Sequence, residues 1–161
     1  MNGHDRDEIF EIIWMKREKG QKDLCVIEQD IKNENLRDLV GQMEKDGLLR
    51  VENDKVEMTA EGEKEAAGLI RRHRLAERLL IDVLETKQDG LEDSACQFEH
   101  ILSEEVTDAI CTLLGHPKEC PHGLPIPEGK CCQKAKEFLE SVVSTLDKLD
   151  VGESATVAYI L

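Results

Sequence analysis

Aromatic residues are scarce. They make up 3% of the 161 residues, with one Trp and one Tyr, so the core has to be built mostly from aliphatic side chains. No apolar run approaches the roughly 18 residues that a membrane helix needs, and the opening segment MNGHDRDE lacks the apolar region of a signal peptide. The expected location is the cytoplasm, with no membrane partner. Positive charge is also short: 21 Lys and Arg stand against 35 Asp and Glu, a formal net charge of −14. That balance argues against broad, non-specific nucleic-acid binding, because phosphate contacts need a basic surface. It leaves room for a locally basic face on an acidic dimer. A disulfide framework is not expected either, since six cysteines in a cytoplasmic chain fit free thiols or metal ligands better. No catalytic motif with a positioned base is present, so the chain is not read as an enzyme.

What the chain does contain is a high share of charged residues, 35%, which fits long solvated helices. Its length suffices for one or two small domains. The pattern centres on Arg71 to Glu105. His73 and Glu77 are four apart and stack on one side of a helix. Cys96, Glu99 and His100 sit at i, i+3 and i+4, so their donor atoms can converge. Taken singly, each group has an ordinary explanation. His73 lies in a basic run (Arg71, Arg72, Arg74), Glu77 can pair with Arg74, and Cys96 can be a small core residue. Two such groups, on helices that a short loop would pair, point to a site. Imidazole, carboxylate and thiolate together suit a first-row transition metal better than calcium or magnesium, which want oxygen.

Around this centre the elements can be read in order. Residues 5–19 form an amphipathic helix with Ile9, Ile12, Ile13 and Phe10 inward, Trp14 packing, and Gly20 as the stop. Glu8 and Glu11 lie three apart on one face, either as first-turn dipole chemistry or as ligands. Residues 23–47 read as a helix-turn-helix whose second helix buries Leu36, Leu39, Val40 and Met43. LLRV-END-KVEM reads as a hairpin turning at Asn53 and Asp54. Helix, helix, helix, hairpin is a winged helix. Its candidate base-reading residues are Asn33, Asn35, Arg37 and Gln42. Arg37 is the only basic residue there, against Glu34 and Asp38, and residues 1–62 hold ten Lys or Arg and sixteen Asp or Glu, a net of −6.

Thr59 is the expected N-cap of a long helix over about 61–86. Its apolar stripe is Ala66, Leu69, Ile70, Leu79, Leu80 and Val83. A break at 87–90, a helix over 92–102 and another from Ser103 through Leu114 follow. Residues 115–132 form a loop rich in Pro and Gly. In it Cys120, Cys131 and Cys132, with Cys111 and His116 nearby, are soft ligands that fit free thiols, an iron–sulfur cluster or a Zn(II) site. Residues 133–149 form a last helix.

Three words, RHRLAERLL at 72–80, DSACQFEHILSEEV at 93–106 and GHPKECPHGLPIP at 115–127, together resemble the metal-binding and dimerisation domain of the diphtheria-toxin-repressor family of metal-dependent transcription regulators. MEKDGLLRV and MTAEG resemble the family's text too, while the helix-turn-helix looks a few residues short for it. The resemblance implies a mainly α fold: a winged helix-turn-helix over 1–62, then a helical metal-binding and dimerisation domain over 63–140. Residues 141–161 would be a linker and the opening strand of an SH3-like domain, a strand that is either cut short or pairs elsewhere. The implied function is a homodimeric repressor that binds a double-stranded DNA operator when metal bridges its domains. In the manganese-sensing branch two acids on the first helix complete the site, and Glu8 and Glu11 match them; Cys96 looks like the iron-sensing branch. The implied ligand set is Glu8, Glu11, His73, Glu77, Cys96, Glu99 and His100, while His122 is structural. The thiolate favours Fe(II) over Mn(II). The alternative is an iron or iron–sulfur sensor with weakened DNA binding that acts through a protein partner, with a cluster on Cys111, Cys120, Cys131 and Cys132.

Overall fold

Helix α1 spans Gly3–Glu18 and turns an aliphatic face inward. Ile9, Ile12 and Ile13, at the i, i+3, i+4 spacing of one helix face, are buried together with Phe10. The structure, a computed structural model, describes residues 3–24, 26, 27, 36–87, 90–142, 148–154 and 156. After a helical turn at Leu24, Val26 and Ile27, α2 covers Leu36–Lys45. It buries Val40 and Met43 and half-buries Leu39. Residues 28–35, which would complete the helix-turn-helix, and the side chain of Leu36 lie outside the described residues.

Strand β1 (Leu49–Glu52) pairs antiparallel with β2 (Lys55–Met58), Glu52 facing Lys55. Between them Asn53 and Asp54 both take positive φ, 51° and 59°. That is the two-residue turn whose twist matches a hairpin, and short polar side chains tolerate it best. Asp23 bridges to Lys55 at the hairpin's edge. The arrangement is the expected winged helix.

Helix α3 (Ala60–Asp82) is the spine. Its N-cap is Thr59, whose Oγ1 accepts from the Gly62 N–H at 3.1 Å and donates to Gly47 O at 2.6 Å. Gly62 sits against the segment leading into β1: a Cβ there would lie 2.0 Å from Leu48 O. The helix runs unbroken through residue 62 and serves three cores in turn. Ala66 and Leu69 complete the winged-helix core. Leu75 packs with Ile110, Cys111, Cys120, Ile126 and Cys132. Ala76 and Leu80 pack with Leu91 and Ala95.

The helix stops at Asp82, four residues before the expected end near 86. Val83 is 48% exposed and Leu84 56%, because the chain turns away there and Glu85 adopts a φ of 51°. Helix α4 (Leu91–Ile101) returns along α3. Helix α5 (Glu104–Leu113) starts at Ser103, whose hydroxyl accepts from the Val106 N–H at 3.3 Å. Helix α6 covers Lys130–Val142 and begins three residues before the expected start, so it takes in Cys131 and Cys132. The expected strand near the end falls mostly outside the described residues; those described, 151–154 and 156, are not in a strand. The described fold is mainly α, a winged helix-turn-helix followed by a helical domain. Among the described residues no helix is long and apolar enough to cross a membrane.

Candidate metal centre

His73 and Glu77 project from the middle of α3, and Cys96, Glu99 and His100 from the facing side of α4. Both spacings put their side chains in one helical row. Antiparallel packing of α3 on α4 brings the rows together, and Glu11 enters from α1. His73 Nδ1 lies 2.8 Å from Glu99 Oε2 and 3.4 Å from Glu11 Oε1. On the other side of the ring, Nε2 lies 3.8 Å from Glu77 Oε1 and 3.6 Å from Glu92 Oε1. His100 Nε2 is 3.5 Å from Glu99 Oε1, and its Nδ1 is 3.2 Å from Asp7 Oδ2. Three groups with convergent donor atoms therefore overlap: Glu11, His73 and Glu99; Cys96, Glu99 and His100; His73, Glu77 and Glu92.

The electrostatics are those of a set short of positive charge. Burial, reinforced by Glu99, pushes Glu11 up to about 7. Burial opposes a charge on His73, yet the hydrogen bond to Glu99 and the charges of Glu11, Glu99 and Glu77 outweigh it and hold the imidazole up at about 9. Burial and then Glu99 push the Cys96 thiol up to about 11. Glu99 is 1% exposed, and its Oε1 is a buried oxygen with no hydrogen-bond partner. Buried polar atoms in native proteins are nearly always paired, so an orphan needs an explanation. A divalent ion held by these N, O and S donors would supply it.

Not every expected ligand is brought in. Glu8 is exposed and belongs to none of the three groups. Asp7, one residue earlier, faces His100 instead. The signal for Asp7 was its spacing of four from Glu11, a closer match to one helix face than the three-residue spacing of Glu8. Glu92, outside the expected set, joins His73 and Glu77 and lies on the i, i+4, i+7, i+8 row of α4 with Cys96, Glu99 and His100. Cys120 departs from the other loop cysteines and joins Glu77 and His122. The His122 Nδ1 lies 2.8 Å from Glu77 Oε1. Cys111, Cys131 and Cys132 do come together, with His116 as the fourth member. Of the base-reading candidates, Arg37 and Gln42 are exposed on α2; Asn33 and Asn35 lie outside the described residues.

A winged helix whose first helix shares convergent donor atoms with a helical domain has the architecture of a class, that of metal-responsive winged-helix proteins. Residues 59–128 match the family described as "Iron dependent repressor, metal binding and dimerisation domain". Over these residues the chain is similar to that family's metal-binding and dimerisation domain. It is 44% identical over 89 residues to the iron-dependent repressor IdeR of Mycobacterium tuberculosis, a match covering 55% of this chain and 39% of that protein. The chain thus spans about two fifths of the length of the curated relatives it matches. Among solved structures it is similar to a manganese-dependent transcriptional repressor in complex with manganese, with a TM-score of 0.68 and 26% identity over 77% of this chain and 59% of the other. It is likewise similar to T. acidophilum IdeR, with a TM-score of 0.63 and 27% identity over 80% of this chain and 61% of the other.

Proposed function

We propose that this chain is a divalent-metal-responsive, DNA-binding transcriptional repressor, with Fe(II) as its metal and Mn(II) as the nearest alternative. The observation that carries the reading is that Glu11, on the first helix of the winged helix, shares one donor group with His73 of α3 and Glu99 of α4. The donors available to bound metal are Glu11, His73, Glu77, Glu92, Cys96, Glu99 and His100, with Asp7 beside them; Glu11 and Glu99 face Nδ1 of His73 and Glu77 and Glu92 face Nε2, so any one ion would use one side of the ring. Bound there, a dication would supply the positive charge that these buried carboxylates lack. The chain's own residues set the response. Glu11 and Glu99 repel each other across His73 when both are ionised, which works against α1 lying on α4. His73 holds a proton between them. Arg74 opposes the separation, since its guanidinium clasps both Glu18 carboxylate oxygens of α1 at 2.9 and 2.7 Å. A modest bias of this kind is what a two-state junction needs, because a ligand shifts such an equilibrium only by its differential affinity.

The reading assigns residues 1–62 to the DNA-binding unit and 63–140 to the metal-binding and dimerisation unit. Arg37 and Gln42, with Asn33 and Asn35 before them, are its base-reading residues. A homodimer is supported by α5, where Val106 and Leu113 are seven apart on one face and 46% and 68% exposed. The net charge of −6 over residues 1–62 favours a second reading, a metal sensor that acts through a protein partner.

The test is in vitro selection of duplex DNA on the full chain, run anaerobically at fixed salt with Fe(II), with Mn(II) and with chelator. A selected duplex bound only with metal, and lost in Arg37→Ala, is expected. No enriched sequence under any metal would sink the repressor reading and leave the partner reading standing.

A further inference from the structure

Away from the His73 centre, three cysteines and one histidine meet where α5 ends and α6 begins. Cys111 Sγ is 3.6 Å from Cys132 Sγ and 3.6 Å from His116 Nδ1. Cys131 Sγ is 3.9 Å from Cys132 Sγ. All four donor atoms lie within 4.8 Å of one another. Zinc–sulfur and zinc–nitrogen bonds of about 2.3 and 2.0–2.1 Å at tetrahedral angles put two sulfurs about 3.8 Å apart, and sulfur and nitrogen about 3.6 Å apart. The three separations given match edges of that tetrahedron, and the 4.8 Å limit on the others is compatible with it. An iron–sulfur cluster would bind its ligands through separate irons and hold them farther apart.

We infer that Cys111, His116, Cys131 and Cys132 form a structural Zn(II) site of the Cys3His type, distinct from the His73 centre and independent of the function proposed above. Its surroundings are built for the charge. Three thiolates and one Zn(II) leave one negative charge, and a buried charge has to be paired. Arg71, 6% exposed, supplies the partner: its Nη2 lies 3.0 Å from Cys131 Sγ and its Nη1 3.7 Å from Cys132 Sγ. Asp108 Oδ1, 3.1 Å from Nη2, holds the guanidinium in place. Gly129 leaves room for it, since a Cβ there would lie 2.6 Å from Arg71 Cζ. The turn at Gly115 and His116, both at positive φ, carries the imidazole back to Cys111, and the His116 N–H donates to Cys111 O at 2.8 Å. Closed by the ion, the site clips both ends of the 117–130 loop. That loop presents Cys120 and His122 to Glu77.

The experiment is metal substitution on the full chain, kept reduced and anaerobic. A Cys96→Ser background keeps the His73 centre from contributing a thiolate. One Co(II) per chain with tetrahedral ligand-field bands and intense thiolate-to-cobalt charge transfer is expected, displaced by Zn(II). Cys131→Ser and Cys132→Ser should each lose most of the charge-transfer intensity, and Cys120→Ser should keep it. Should a variant fail to fold, the charge-transfer intensity of the Cys96→Ser parent still counts its thiolates. Six-coordinate cobalt without charge transfer, loss of the signal in Cys120→Ser, or a Cys111–Cys132 disulfide in freshly isolated protein would each overturn the assignment.

Discussion

Glu99→Gln is the substitution that tests the His73 centre most sharply. Glu99 belongs to two of the three overlapping donor groups, with Cys96 and His100 on one side and with Glu11 and His73 on the other. Glutamine keeps the volume and can still accept the His73 Nδ1 hydrogen, so the metal-free fold should survive. What it loses is the charge and the free Oε1. Removing residues that merely support a metal ligand costs about 10–100-fold in affinity; a shared ligand should reach the top of that range, about 2.7 kcal/mol. At a metal concentration of about 100 times its Kd, the parent chain gains about 2.7 kcal/mol of stability. The variant at the same concentration gains about 0.4 kcal/mol. For a chain of this size each kcal/mol moves Tm by about 2–4 °C. Thermal melting with and without Mn(II) should therefore shift by about 5–11 °C for the parent and about 1–2 °C for the variant. Mn(II) is the right probe because it prefers oxygen and nitrogen donors to thiolate, which keeps the Cys3His group silent. An undiminished shift in Glu99→Gln would refute the assignment.

Three further outcomes follow from the same geometry. Asp7→Ala should weaken Mn(II) binding measured by calorimetry and Glu8→Ala should leave it unchanged, since Asp7 faces His100 and Glu8 faces solvent; the reverse order would return Glu8 to the site. Glu18→Gln should destabilise by about 2–3 kcal/mol at neutral pH, because it breaks the clasp on the buried Arg74 guanidinium. Burial alone would raise the Glu18 carboxyl, but the Arg74 hydrogen bonds outweigh it and hold it below its ordinary value. That contribution is complete above the ordinary carboxyl range and lost as pH falls through the lowered folded value. Denaturant midpoints of parent and variant should converge in acid, and a gap independent of pH would contradict the pairing. Gly62→Ala should cost at least about 1–3 kcal/mol in chemical denaturation, because its Cβ would meet the Leu48 carbonyl, which is backbone and cannot rotate aside. A variant as stable as the parent would mean that α3 does not seat there.

Much of this was legible along the chain. The inward row of α1, the Asn53–Asp54 turn, the Thr59 and Ser103 caps and the ligand rows of α3 and α4 are all local patterns. Each depends on helix or hairpin periodicity over a few residues. The differences have more than one cause. Whether Asp7 or Glu8 meets the site depends on how α1 is rotated against α4, and a single helix does not fix that rotation. The apolar pattern runs on through Val83 and Leu84 past the end of α3, although both are exposed.

The sequence by itself determined which side chains could share a row, because residues three or four apart on a helix are neighbours whatever the rest of the fold does. It determined the winged helix and the donor chemistry of the His73 centre in the same way. Only the tertiary structure decided which rows meet. Packing of α3 against α1, α4 and α5 joined Glu11 and Glu92 to His73, left Glu8 in solvent and carried Cys120 to Glu77. It also closed Cys111, His116, Cys131 and Cys132 into one group. Those contacts span tens of residues, and no local periodicity records where a loop's two ends will come to rest.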